Sequence, residues 1–347
     1  MRTIFRSTLI ITLLINVFGC KTNQHKNVVR LSDTKRIVFL DSLTAASAIT
    51  TDNSEGYFAL VQPVEMSIQI KKKLDKGLSR DNQLAGYQDF MRTEVCNFSA
   101  NEQRLVQRLM GEVYATCQKV GVHVFPQEVR LIKTHGNHYG EGVYYTRDNA
   151  IVIPKDALKG DEEALLHTLF HELSHIYTRQ NAAKKQQLYQ LIGFVPLQQS
   201  LIFPDALQQK ILYNPDGINL NWVIHLADKQ GKKLDAVPII AANESGFQEN
   251  KKRFFDYLVF NLYAVEYRDN AAHILANTDG SSALSLKELP DFFRQIKGNT
   301  NYIIHPDEII ADNFTFVMYG VRDAKSLEKY SPEGRKLLSD IKEVLQK

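Results

Sequence analysis

No long run of like charge, no low-complexity tract and no internal repeat occurs in the chain. Solenoids and extended disordered tails are therefore excluded, and the body is expected to fold. A basic excess is missing too. Lys and Arg number 42 against 39 Asp and Glu, and no basic patch marks a nucleic-acid surface, so that partner class drops out. Cysteine is scarce, with three in 347 residues. Beyond Cys20 only Cys96 and Cys117 remain. An exported protein can pair them, and a buried thiol extending the apolar stripe Leu109–Val113 accounts for Cys117 equally well. What is present is ordinary for a soluble globular protein, at 44% hydrophobic and 23% charged residues, with length for one large domain or two.

The N-terminus reads separately. Arg2 and Arg6 precede the apolar stretch from Leu9 to Ile15, and Gly19 stands before Cys20. This is the layout of a signal peptide over residues 1–19, too short to span a bilayer. Val17-Phe18-Gly19-Cys20 resembles the bacterial lipobox, with a bulky Phe18 in mid-box. That resemblance implies acylation of Cys20 and durable attachment to a lipid bilayer of the bacterial cell envelope, with the domain outside the cytoplasm. Residues 20–35 are polar and aperiodic, as a tether would be. Residues 36–347 are expected to form the folded domain.

Along that domain, Ser99-Ala-Asn-Glu102 is a capping-box pattern before Leu105, Leu109, Val113 and Cys117 at helical spacing. Val129–Lys133 alternates like a strand, and Asn149–Ile153 reads as a second strand that Pro154 stops. Asp161, Glu162 and Glu163 open a helix running through Ile176. Helix, strand, strand, helix is an α+β order.

His171-Glu172-Leu173-Ser174-His175 lies on this last helix. Histidines four apart share one helical face, so both imidazoles can reach one Zn²⁺. Glu172, turned by about 100° from His171, can reach a metal-bound water without competing as a ligand. The flanking Thr168, Leu169, Phe170, Leu173, Ser174 and Ile176 are uncharged, as a buried helix requires. His167 lies one turn before His171, but His167 and His175 are about 12 Å apart along the axis, so one ion cannot bind all three. The His167–His171 pair also has Thr168 where the base should stand.

A hydrolytic zinc site needs a third protein ligand. Thr178 and Asn181 replace the Gly and His of a metzincin continuation. Among the glutamates only Glu308 has an aspartate four residues on, Asp312. Pro306 opens that helix, and Glu308 and Asp312 share a face. The first could bind zinc, and the second could accept the free ring N–H of a ligand histidine.

His171–His175 with the downstream Glu308–Asp312 resembles the gluzincins, the thermolysin-like zincin peptidases. The resemblance implies a zincin-like α+β fold, one Zn²⁺ per chain on His171, His175 and Glu308, Glu172 as general base, and Asp312 supporting a ligand histidine. It further implies that Asn149 and Ala150 belong to an edge strand along which the backbone of a protein or peptide substrate is held. Glu308 lies far past His175, so residues 181–300 are an insertion expected outside the core. Within it Ala182–Leu191 reads as helix, and Trp222–Leu226, Ala236–Ile240 and Tyr257–Tyr263 read as strands of a small antiparallel sheet beside the cleft. His225, Tyr263, Tyr302 and Tyr319 are candidates to steady an oxyanion, with His225 and Glu244 in reserve as ligands. Asn277-Thr-Asp-Gly280 is not a calcium loop, because Leu275 and Leu286 would fall at its first and last ligand positions. Two functions stand: a zinc endopeptidase, since no exopeptidase anchor is evident, or a non-catalytic, lipid-anchored binding or assembly protein keeping a zincin-like fold.

Overall fold

The computed structural model describes residues 27–347. The leader and Cys20 lie outside them. Among the described residues no helix is long and apolar enough to cross a membrane. The architecture is α+β on two mixed sheets.

Strands β1 (Val28–Arg30) and β2 (Arg36–Phe39) form an antiparallel hairpin. The stretch expected as tether through Lys35 is thus part of the first sheet from Val28 onward. An edge strand needs only backbone pairing, and β1 is largely exposed, so no apolar alternation announced it. Helices α1 (Ser42–Ile49), α2 (Tyr57–Leu60), α3 (Pro63–Gln69) and α4 (Arg80–Thr93) follow, then β3 (Val95–Cys96) and α5 (Ala100–Val120). The Ser99 hydroxyl accepts from the Glu102 amide, and the Glu102 carboxylate accepts from the Ser99 amide at 2.6 Å, forming the capping box. Val106, Leu109, Val113 and Cys117 form the buried stripe of α5. Cys96 and Cys117 are both free thiols.

Strands β4 (Glu128–Thr134), β5 (Tyr145–Arg147) and β6 (Ala150–Pro154) complete a sheet of order β1-β2-β4-β6-β5, with β3 against β4. Strands β2, β4 and β6 are parallel, and β5 is the antiparallel margin. This corrects the expectation for Asn149 and Ala150. Asp148, at φ 50°, turns the chain back so that Arg147 pairs with Ala150. Ala150 is consequently an interior residue, paired also with Arg130, and the Asn149 carbonyl accepts the Arg130 amide at 2.9 Å. The margin near the cleft belongs to β5 and the residues just before it.

Helix α6 (Glu162–Gln180) carries the histidine motif and runs four residues beyond Ile176. The Asp161 carboxylate caps it by accepting the Ala164 amide at 2.8 Å, and Glu162 and Glu163 meet the positive end of its dipole. Helix α7 (Ala182–Leu191) follows. Next come β7 (Phe194–Pro196), β8 (Ser200–Ile202), α8 (Asp205–Gln208) and β9 (Ile211–Leu212). The long strands are β10 (Trp222–Ala227), β11 (Lys233–Ala242), β12 (Leu258–Arg268) and β13 (Ala271–Ile274). They form a second sheet of order β7-β10-β11-β12-β13-β8, with β9 against β11. It is antiparallel except where β13 meets β8. Helix α9 (Pro290–Gln295) leads to α10 (Pro306–Arg322), which packs along α6, and α11 (Pro332–Gln346) closes the chain against α10.

The insertion is no appendage. Along β4 and β6 successive side chains alternate between two cores. Leu131, Ile151 and Ile153 pack with α5, α6 and α10, together with Tyr189, Phe194, Ile224 and Leu262 from residues 181–300. Ile132 and Val152 face the other way, toward Tyr57, Tyr87, Ile211, Val237 and Ile239. Residues 181–300 therefore contribute to both cores, contrary to the expectation that they lie outside.

Candidate metal centre

Because α10 lies along α6, the two helix faces bring the sequence-separated motif together. His171 Nε2 stands 3.0 Å from Glu308 Oε2, and His175 Nε2 stands 3.6 Å from the same oxygen. Ligand atoms 2.0–2.1 Å from a tetrahedral zinc lie about 3.3 Å apart. The observed separations bracket that edge. His175 gives a second indication: both ring nitrogens are buried and neither has a hydrogen-bond partner. Leaving such an atom unsatisfied costs about 1–3 kcal/mol, which coordination removes at Nε2, the nitrogen facing Glu308. His171, His175 and Glu308 can therefore hold a metal ion.

The second contacts are equally specific. His171 Nδ1 lies 2.9 Å from Asp312 Oδ1, which fixes the ring with Nε2 toward Glu308. Thr300 donates its hydroxyl to the other Asp312 oxygen. Asn214 Nδ2 donates to Glu308 Oε1 at 2.5 Å, leaving Oε2 for the histidines. Glu172, beside them, has a buried Oε2 with no partner. Asp312→Asn weakens the hold on the His171 tautomer and is expected to lower metal affinity about 10–100-fold with the fold intact. Competition titration against a chelator measures it, and unchanged affinity would remove Asp312 from the site.

Charge distribution points the same way. Glu172, Asp216, Glu308 and Asp312 all line one cleft with His171. Burial opposes a charge on His171, but Asp312 and Glu308 outweigh it and hold the imidazole well above its ordinary range. Burial is likewise overcome at His175, which the Asp216 and Glu308 carboxylates push up to about 9. Burial works to raise Glu308, yet His175 and His171 hold it well below the usual carboxylate range. Glu172 is raised, first by burial and then by the Asp216 charge. A cluster that draws protons onto two imidazoles is one that a divalent cation neutralises.

Other candidates fall elsewhere. His167 packs its ring near Phe316 and Tyr319 at the cleft rim, outside the metal cluster. His225 is exposed and bonds Asp235 at 2.6 Å, and Glu244 pairs with Lys251. Tyr263 donates to the Gly280 carbonyl and Tyr319 to the Glu163 carbonyl, so neither faces the metal. Tyr302 does line the cleft and lies stacked near His171, ring centroids 6.0 Å apart. Asn149 and Ala150 line a different hollow, with Thr44 and Arg130.

Sequence reasoning missed Asn214 and Asp216. Asn214-Pro215-Asp216-Gly217 is ordinary turn chemistry and carries no sign of a site. Tertiary contacts place it. Glu65 accepts the Tyr213 amide at 2.9 Å on one side. Arg179, one turn past His175 and half-buried, donates to the carbonyls of Pro215 and Asp216 and to Thr146 Oγ1 on the other. A Cβ on Gly217 would stand 2.4 Å from His305 Nδ1, so only glycine lets the loop lie against the start of α10.

Comparison of the chain with protein-family models, with curated proteins and with solved structures finds no match in any of the three.

Proposed function

We propose that this chain is a zinc-dependent peptidase with a zincin-like fold, acting on a protein or peptide outside the cytoplasm. In this reading it is tethered to a bacterial envelope membrane by a lipidated Cys20. One observation carries the proposal. His171 and His175 approach one Glu308 oxygen at 3.0 and 3.6 Å, with Glu172 alongside and Asp312 behind. A non-catalytic binding protein has no chemical need for Glu172 at that position.

A zinc ion held by these three side chains supplies Lewis acidity, lowering the pKa of water and polarising the scissile carbonyl. The remaining work belongs to the chain. Glu172 takes the proton of the attacking water and passes it to the leaving amine. Of the oxyanion candidates Tyr302 alone lines the cleft beside His171, which supports giving its hydroxyl the role of donor to the developing oxyanion. Asp312 keeps His171 Nε2 directed at the metal, and Asn214 keeps one Glu308 oxygen occupied.

The test is metal analysis and peptide-library cleavage on one preparation. About one zinc per chain is expected, with cleavage abolished by a chelator and restored by zinc. Stoichiometric zinc without cleavage of any peptide selects the non-catalytic alternative. Anchoring is tested separately. Cys20→Ser is expected to abolish incorporation of labelled fatty acid, and equal labelling of the variant and the natural chain would reject the lipoprotein reading.

A further inference from the structure

Asp216 is the one cleft carboxylate that the reaction just described does not use. It is 6% exposed. Its Oδ1 accepts the Thr146 amide at 2.5 Å and the Thr146 hydroxyl at 2.6 Å. Among the described residues no group donates to its Oδ2, which is not sealed off, since Asp216 lines both the metal cleft and the pocket adjoining it. The nearby cation, Arg179, is occupied by backbone carbonyls, Thr146 Oγ1 and Glu55, so it leaves this oxygen alone. A loop-capping aspartate would need only Oδ1. The second oxygen, on a side chain that is itself buried, is left free where Asp216 lines the cleft.

Its place relative to the metal limits the occupant. An Asp216 oxygen lies within 4.8 Å of ligand atoms of both Glu172 and His175. A second metal ion at that trio would take Glu172 away from its work as base. An organic cation fits if its charge lies close to the scissile carbonyl. An α-ammonium qualifies, because the nitrogen is about 2.5 Å from the carbonyl carbon of its own residue. A lysine ammonium, at the end of a long flexible stem, does not. The adjoining pocket, lined by Tyr139, Val143, Tyr213, Phe254, Leu258 and Ile304, has a volume of only about 40 Å³, well below the roughly 300 Å³ of a preformed ligand site, so it selects no particular first side chain.

Building on the peptidase reading, we infer that Asp216 receives the N-terminal ammonium of the substrate. The enzyme then removes single residues from free N-termini. The sequence held no recognisable exopeptidase anchor because this one is assembled from a loop 41 residues past the histidine motif by tertiary contacts alone.

The experiment compares leucine hydroxamate with N-acetyl-leucine hydroxamate on the zinc-loaded full chain by calorimetry, alongside peptides with free and acetylated N-termini. The free amine is expected to bind at least about tenfold tighter, the range of a charge-assisted hydrogen bond. Asp216→Asn, which keeps an acceptor for Thr146, is expected to erase that preference while zinc stays at one per chain. The inference is overturned by equal binding of the two hydroxamates, by N-acetyl-lysine hydroxamate binding as tightly as leucine hydroxamate, or by a second tightly held ion that Asp216→Asn removes. The comparison of ligands on the natural chain needs no variant, so it stands even if Asp216→Asn fails to fold. An intact amine preference with no peptide cleaved supports the Asp216 site and removes the peptidase reading alone.

Discussion

Glu172→Gln is expected to leave zinc content unchanged and the melting temperature equal or higher while lowering peptide turnover about 10²–10⁴-fold. The substitution is nearly isosteric, and the unpartnered Oε2 of Glu172 makes no hydrogen bond that the amide would break. Glu172 is 3% exposed and sits among other carboxylates, so removing its charge relieves repulsion in the folded chain. Stability should hold or rise. Chemistry should fail, since a neutral amide cannot accept the proton of the attacking water. The measurement is single-turnover kinetics with metal analysis on the same sample. A rate equal to that of the natural chain would show that another group is the base, and the mechanism would fall.

Glu308→Gln should act differently, with loss of metal and activity together. Glu308 Oε2 is the atom both histidines approach, at 3.0 and 3.6 Å, and it carries the negative charge that favours a dication. Zinc affinity is expected to fall by more than the roughly 10–100-fold cost of losing a supporting residue such as Asp312. His171→Ala and His175→Ala should behave alike, because each leaves two protein ligands. The order of effects is the diagnostic: Glu308→Gln loses zinc, Asp312→Asn weakens it, and Glu172→Gln keeps it. Zinc bound by Glu308→Gln as tightly as by the natural chain would exclude Glu308 as the third ligand. Asp216 would then be the next residue to test, ahead of the remote His225 and Glu244.

Local rules made part of this molecule legible. The capping box at Ser99, the acidic first turn after Asp161 and Pro306 at the first position of α10 each fix a helix start by hydrogen bonding or dipole within one turn. The four-residue spacing of His171 and His175, and of Glu308 and Asp312, follows from helical geometry, so the candidate ligands and base could be named from the sequence. Strands β4, β6, β10, β11 and β12 were legible for the same reason, as apolar runs a few residues long.

The tertiary structure decided what depends on distant partners. Strand β5 is three residues with a polar Thr146 and Arg147, and only its pairing with β6 makes it the sheet margin and moves Ala150 inside. Strand β1 is a strand because β2 supplies its hydrogen bonds. Residues 181–300 enter both cores because their apolar faces find the two sides of the first sheet, which no local pattern specifies. Asn214 and Asp216 reach the site because Glu65 and Arg179, each satisfying a buried charge, clamp an otherwise ordinary turn against α6 and α10. The sequence by itself determined which residues can bind metal and act as base, through intervals measured along single helices. Which carboxylates surround them was set by long-range burial of charge against its few available partners.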